Sequence, residues 1–276
     1  MTVGERQLAA YDSDHSFLIL DDVQPRVLAG PGDARHVTHV LLAAGWSLRS
    51  DPAAPSVHLV SPDLRWELHC NAHRDSAWWR LTGSPPDGGH VYASFGRQTP
   101  VEILAGLTDA LWAAPAKAPV PDAWSVLEEA GWEVREEGEA ARATSPDQLV
   151  RWECEVAYVD VPDTFTWRIE VAGEHGPPVW RGYLNGTLPP HLMSGLARAL
   201  ADPQPLQRHA WGESMGHYTA RQEPSTVSGR QVALAHRTRV KAAAARRRAA
   251  RRTGLTTTPG TPAPPRTAAP SGANTR

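Results

Sequence analysis

The sequence predicts an α+β protein built as a tandem duplicated domain. Each copy is an antiparallel sheet of three to four strands flanked by an N-terminal and a C-terminal helix, and the pair is followed by a basic helix and a disordered tail. Three observations carry this. The chain of 276 residues repeats itself at about 86 residues, far beyond the roughly 20–50 residues of solenoid units. The middle of each copy alternates polar and apolar residues with period two. After Pro203 the periodic pattern weakens, and the composition turns basic and then Pro/Thr/Ala-rich.

The repeat rests on ordered anchors. Gly45-Trp46 returns as Gly131-Trp132, Ser61-Pro62-Asp63 as Ser145-Pro146-Asp147, and Arg65-Trp66-Glu67 as Arg151-Trp152-Glu153. Trp79-Arg80 returns as Trp167-Arg168 and Gly106-Leu107 as Gly195-Leu196. In the first copy Val37, Val40, Leu41 and Ala44 fall at helical spacing behind Asp33 as N-cap, with Gly45 as the stop. Ala123, Val126, Leu127 and Ala130 repeat this stripe between Asp122 and Gly131. Trp66, Leu68 and Cys70 alternate with Arg65, Glu67 and His69, as Trp152, Cys154 and Val156 do with Arg151, Glu153 and Glu155. The Ser-Pro-Asp triplets supply turn residues before these strands, so Asp63 and Asp147 read as turn formers and not as a catalytic acid pair.

Strands follow around Trp79 and Trp167 and at about 90–95 and 179–184. Thr99-Pro100-Val101-Glu102 reads as a capping box opening a helix that buries Leu104, Leu107 and Leu111, and Leu192, Met193, Leu196 and Leu200 are its counterpart. The predicted divisions are a first repeat domain over 18–114, a linker over 115–121, and a second repeat domain over 122–203. An extension with a basic helix follows over 204–253, then a disordered tail over 254–276. The anchor set leads us to expect a separate core for each copy.

With 41% hydrophobic residues the chain suits one or two globular cores. No apolar run reaches the roughly 20 residues of a membrane span, and the N-terminus lacks a signal-peptide pattern, so a cytoplasmic protein with no membrane contact is expected. Two cysteines, Cys70 and Cys154, support neither a disulfide framework nor a thiolate zinc site. The formal charge of −2 hides an asymmetry. Residues 204–276 hold 13 Lys/Arg against Glu213 and Glu223, whereas 1–203 hold 15 against 28 acidic residues, so contact with a polyanion belongs to the C-terminal segment.

The doubled Gly-Trp, Ser-Pro-Asp and Trp-Arg anchors resemble the SPDY-type domain-of-unknown-function family of streptomycetes, whose members usually hold two copies. The likeness runs over about residues 18–240, through Val23-Gln-Pro-Arg-Val-Leu-Ala-Gly30, Arg35-His-Val-Thr-His39, Tyr92-Ala-Ser-Phe-Gly96, Leu104-Ala-Gly-Leu-Thr-Asp-Ala110 and His217-Tyr218. The family's tyrosine after the triplet is absent, since Leu64 and Gln148 stand there. The resemblance implies a duplicated architecture of actinobacterial, cytoplasmic origin and brings no activity, cofactor or catalytic residue.

Gly212-Glu213-Ser214-Met215-Gly216 matches the nucleophile-elbow pattern, and Ser214, Glu223 and His236 follow in hydrolase order. The elbow needs a buried strand before the serine and a helix after it, and neither pattern is present, so no catalytic residue is assigned. His36 and His39, with His58, His69, Cys70 and His73 nearby, suggest metal ligands. His69 and Cys70 point to opposite strand faces, and His39 lies away from the apolar stripe of its helix, so no metal and no cofactor are expected. Trp78, Arg80, Arg65 and His69 fall on one open sheet face that could seat a protein partner, although cover by the other copy is the favoured expectation there. Arg237, Arg239, Lys241, Arg246, Arg247, Arg248, Arg251 and Arg252 make a cationic helix over 231–252 suited to non-specific nucleic-acid contact, or else solvated or folded back on the acidic body. The resulting expectation is a non-enzymatic interaction module, a protein-binding adaptor with a cationic tail. The alternatives are a nucleic-acid-associated accessory protein and, more remotely, a serine hydrolase.

Overall fold

The computed structural model describes residues 3–50, 56–71, 77–86, 88–113, 120–138, 140–156, 165–212 and 217–256. The predicted linker falls mostly outside these residues, as do residues 257–276 of the predicted tail, Ser214 and His73.

The first copy runs α2 (Arg35–Ala44), β2 (Ser47–Leu48), β3 (Ser56–Val60), β4 (Trp66–Asn71), β5 (Trp79–Gly83), β6 (Val91–Phe95) and α3 (Val101–Ala110). The second runs α4 (Ala123–Glu129), β7 (Glu133–Glu137), β8 (Ala140–Thr144), β9 (Val150–Val156), β10 (Phe165–Val171), β11 (Trp180–Gly186) and α5 (Pro190–Ala201). Each copy thus has five strands instead of three to four. The strands directly after Gly45-Trp46 and Gly131-Trp132 escape the sequence because β2 is two residues long and β7 is almost wholly charged.

All ten strands form one antiparallel sheet in the order β2-β3-β4-β5-β6-β11-β10-β9-β8-β7, symmetric about the β6–β11 seam. Val91 pairs with Gly186 and Phe95 with Gly182 across it. The copies therefore meet edge to edge and not face to face, which overturns the expected cover of one sheet by the other. Edge pairing satisfies the backbone groups that β6 and β11 would otherwise present as unpaired edges. On one face the helices cover a single apolar core that runs through both copies, from Leu41, Leu59 and Trp79 to Trp152, Ile169 and Leu196. The expectation of two separate cores is corrected by that continuity.

Two glycines let the central helices touch. A Cβ on Gly106 of α3 would stand 2.5 Å from the Gly195 carbonyl oxygen of α5, and the reciprocal clash holds for Gly195.

The two Ser-Pro-Asp turns share one hydrogen-bond pattern. The Ser61 hydroxyl donates to Asp63 Oδ1 and accepts the Trp66 N–H, while the Ser145 hydroxyl donates to Asp147 Oδ1 and accepts the Val150 N–H. Leu64 and Gln148 both take φ 62°. Both aspartates are indeed turn formers. Trp66 is thereby equivalent to Val150, and Cys70, which pairs with Trp79, to Cys154, which pairs with Trp167. The Arg-Trp-Glu triplets are consequently two residues out of register, a shift that keeps every side chain on its face and so leaves no trace in the alternation.

The predicted capping box does not form. Pro100 is the N-cap, Thr99 Oγ1 is buried without a partner, and the Glu102 carboxylate is taken by both Nη atoms of Arg208 at 2.7 and 2.9 Å. A bidentate guanidinium outcompetes a backbone amide for that carboxylate. The Asp122 cap on α4 is present, accepting the Ser125 N–H at 2.9 Å.

Outside the duplicated body, α1 (Glu5–His15), β1 (Leu20–Gln24), β12 (Leu206–His209), β13 (Arg221–Pro224) and α6 (Gly229–Thr256) form an accessory layer. Its three-stranded sheet has the order β12-β1-β13. The helix α6 packs along α2 and α1, burying Val240 and Ala243 against Leu8, Val40 and Ala43. No helix among the described residues is long and apolar enough to cross a membrane.

Candidate functional site

The face of the ten-stranded sheet opposite the core is polar and, among the described residues, uncovered. One row crosses it from edge to edge through the register His58–His69–Arg80–Ser94–Tyr183–Arg168–Glu153–Arg142–Arg135. On the second copy the charges neutralise one another in a ladder. Arg181 reaches Glu170 at 2.7 Å, Arg168 reaches Glu155 at 2.8 Å and Arg142 reaches Glu153 at 2.8 Å. Pairs this exposed add little to stability, but they fix the side chains in a patterned surface. Of the four residues assigned to partner contact, Arg80 and His69 lie in the cross-sheet row, and exposed Arg65 flanks β4. Trp78 is half-buried against the core, with the Arg97 guanidinium 5.2 Å over its ring.

The first copy carries a cluster that the second lacks. His58 and His69 are directly paired across β3 and β4, and their rings stack with centroids 4.0 Å apart. Both Nε2 atoms face the same oxygen of Glu67, at 3.1 and 3.5 Å. Burial, followed by the neighbouring His58, lowers the His69 pKa. The sequence sets these histidines beside Cys70 as candidate ligands and places Glu67 with His69 on one strand face without marking it as a ligand. Cross-strand register brings the three together, with Cys70 turned to the core.

The cationic helix is docked on the body. Arg237 pairs with Glu5 and with Asp12, Arg239 with Asp109 at 2.6 Å, and Arg246 lies 4.9 Å over the Trp112 ring. The Arg247 side chain lies against Gly45. Arg237, Arg239 and Arg247 are thereby half-buried, whereas Arg246 stays exposed over its ring and Lys241, Arg248 and Arg251 are exposed too, the last three set on one side of the helix by their spacing of seven and three residues. Arg252 is exposed as well.

Known families agree with the duplication seen in the sheet. The model of SPDY, a domain of unknown function (DUF317), matches residues 60–118 and again 144–206. Two segments of the chain are thus similar to the SPDY domain. Neither a curated protein nor a solved structure matches it. Each SPDY match starts one residue before a Ser-Pro-Asp turn and takes in three strands and the closing helix, so the β6–β11 seam and the Gly106–Gly195 crossing are contacts between one SPDY segment and the other.

Where the first copy meets the accessory layer there is a cavity of about 800 Å³, walled by Tyr11, His36, Asp33, Arg208 and His236 among others. His39, expected on a solvated helix face, is buried there because α6 covers that face. His39 Nδ1 lies 3.1 Å from His236 Nε2, and Tyr11 stacks on His236 at 3.8 Å and on His15 at 3.9 Å. The Nδ1 of His236 is buried without a hydrogen-bond partner. Burial, then the nearby His39 and His36, pushes the His236 pKa down to about 3; burial, then Arg239, pushes His36 down to about 4. Arg35 holds the neighbouring Asp33 low in spite of its burial. In the hydrolase order, Glu223 is exposed on β13 and His236 is enclosed by these rings.

These two histidines are expected to make the fold acid-sensitive. Their folded pKa values lie below the unfolded value, so the unfolded chain binds the extra protons, and stability is full above about pH 6.5 and falls as pH drops toward 3–4. We expect each to cost on the order of 2 kcal/mol by pH 5. Urea midpoints measured from pH 7 to 5 check this, with a shallower slope expected for His236→Gln.

Proposed function

We propose that this chain is a non-enzymatic interaction module that binds a protein partner across the open face of its ten-stranded sheet. The observation that carries the reading is the polar face itself, which runs through both copies and which no helix among the described residues covers. One-sided antiparallel sheets are normally wet on their second face. Here that face also presents an ordered charge ladder and the half-exposed ring of Tyr183, features that favour a partner of complementary charge pattern. A photo-crosslinking residue placed at Tyr183 in the source cells is expected to capture one discrete protein, and Arg80→Glu with Arg168→Glu to abolish the adduct. Capture that survives both charge reversals would refute the reading.

A second reading, contact with nucleic acid through α6, is favoured by the side of the helix that carries Lys241, Arg248 and Arg251. If it holds, the full chain binds mixed DNA with a log-affinity versus log-salt slope of about −0.9 per phosphate neutralised. Lys241→Glu, Arg248→Glu and Arg251→Glu together would then remove that binding and leave the protein crosslink intact.

A further inference from the structure

We propose that His58, Glu67 and His69 form a binding site for one divalent transition-metal ion of the zinc or cobalt(II) type. The site does not depend on the adaptor reading, and its two partly exposed rings, which stack at 4.0 Å and 15°, must turn out of the stack to aim both lone pairs at one ion. Zinc holds nitrogen and oxygen ligands at about 2.0–2.2 Å, so neighbouring ligand atoms of a tetrahedral site stand about 3.4 Å apart. The two Nε2 atoms lie 3.1 and 3.5 Å from Glu67 Oε2, and all three donor atoms fall within 4.8 Å of one another. The donors sit on adjacent, directly paired strands, whose ladder fixes their spacing. About a quarter of each imidazole and nearly half of the carboxylate remain exposed, which leaves the fourth position to water. Two imidazoles and a carboxylate suit zinc or cobalt better than magnesium or calcium.

The second copy supplies an internal comparison. By the register of the Ser-Pro-Asp turns, the positions of His58, Glu67 and His69 are filled there by Arg142, Arg151 and Glu153. Arg142 meets Glu153 at 2.8 Å and Arg151 meets it at 4.0 Å. A guanidinium is always charged and has no lone pair to donate, so that triad closes as an ion pair. Neutral imidazoles at the matching places have their nitrogen lone pairs available. The nearby Cys70 adds no ligand, since it faces the core and burial pushes its thiol up to about 11.

The test titrates chelator-treated full chain with Co²⁺, read by visible absorption, and with Zn²⁺ in competition with a chromophoric chelator. One ion per chain is expected, with affinity lowered at least tenfold by each of His58→Ala, Glu67→Gln and His69→Ala, and unchanged by His236→Gln and His175→Ala. Circular dichroism of each variant confirms that the fold is retained. Absence of binding at 100-fold excess metal overturns the proposal. So does a bound ion whose affinity ignores all three substitutions, or one lost with His236→Gln.

Discussion

A chain truncated after Ser228 is expected to lose on the order of 5 kcal/mol of stability, from the renewed exposure of Leu8, Tyr11 and Val40 at roughly 1.5–3 kcal/mol for each large side chain. All three are buried at the α6 interface or beside it. The truncation also leaves Asp12 and Asp109 without their guanidinium partners. Such a loss is comparable to the whole stability of an ordinary domain. Urea unfolding of the truncated and full chains checks it, and an unchanged midpoint would show that α6 is a detachable appendage. The contrast is the full chain carrying Lys241→Glu, Arg248→Glu and Arg251→Glu, whose midpoint should stay within about 0.5 kcal/mol of the parent because these side chains are exposed. Only that second variant separates nucleic-acid contact from folding.

The helix crossing at the seam predicts the other large effect. Gly106→Ala should destabilise the chain by about 2–3 kcal/mol, although alanine gains about 1 kcal/mol in helix propensity. The new methyl group would meet the Gly195 carbonyl oxygen at 2.5 Å and the Ala199 Cβ closer still, and neither is the end of a flexible side chain. Gly106→Leu should prevent native packing of α3 on α5 altogether. The seam strands β6 and β11 lie under these helices in the shared core, so damage is expected in both halves together and a single unfolding transition should report it. Gly176→Ala, where an added Cβ meets nothing within 4 Å, is the neutral control. Equal midpoints for Gly106→Ala and Gly176→Ala would mean that the two helices do not touch as described.

The legibility of this chain divides along physical lines. The stripe Val37, Val40, Leu41 and the turn at Ser61-Pro62-Asp63 could be read because helical period and turn chemistry are local properties. Register was lost at Arg65-Trp66-Glu67, since a shift by two residues preserves the face of every side chain. His39 was misplaced because its helix has two covered faces, one under the sheet core and one under a helix nearly 200 residues later. Glu67 and His69 could be read on one strand face because they stand two residues apart, whereas His58 could not be joined to them, since only pairing of β3 with β4 brings it there. The charge of α6 was plain from composition. That Arg237, Arg239 and Arg246 would be spent on Asp12, Asp109 and Trp112 was not, since those partners come from distant segments.

By itself the sequence determined the duplication, the α+β composition of each half, the turns that start each SPDY match, and the cationic character of the C-terminal segment. Only the tertiary structure decided that the halves share one ten-stranded sheet and one core, and that its open face holds a histidine–glutamate cluster on one side and a closed arginine–glutamate pair on the other. The reason is that local pattern records which face of an element is apolar, whereas the choice of what covers that face depends on contacts between residues far apart in the chain.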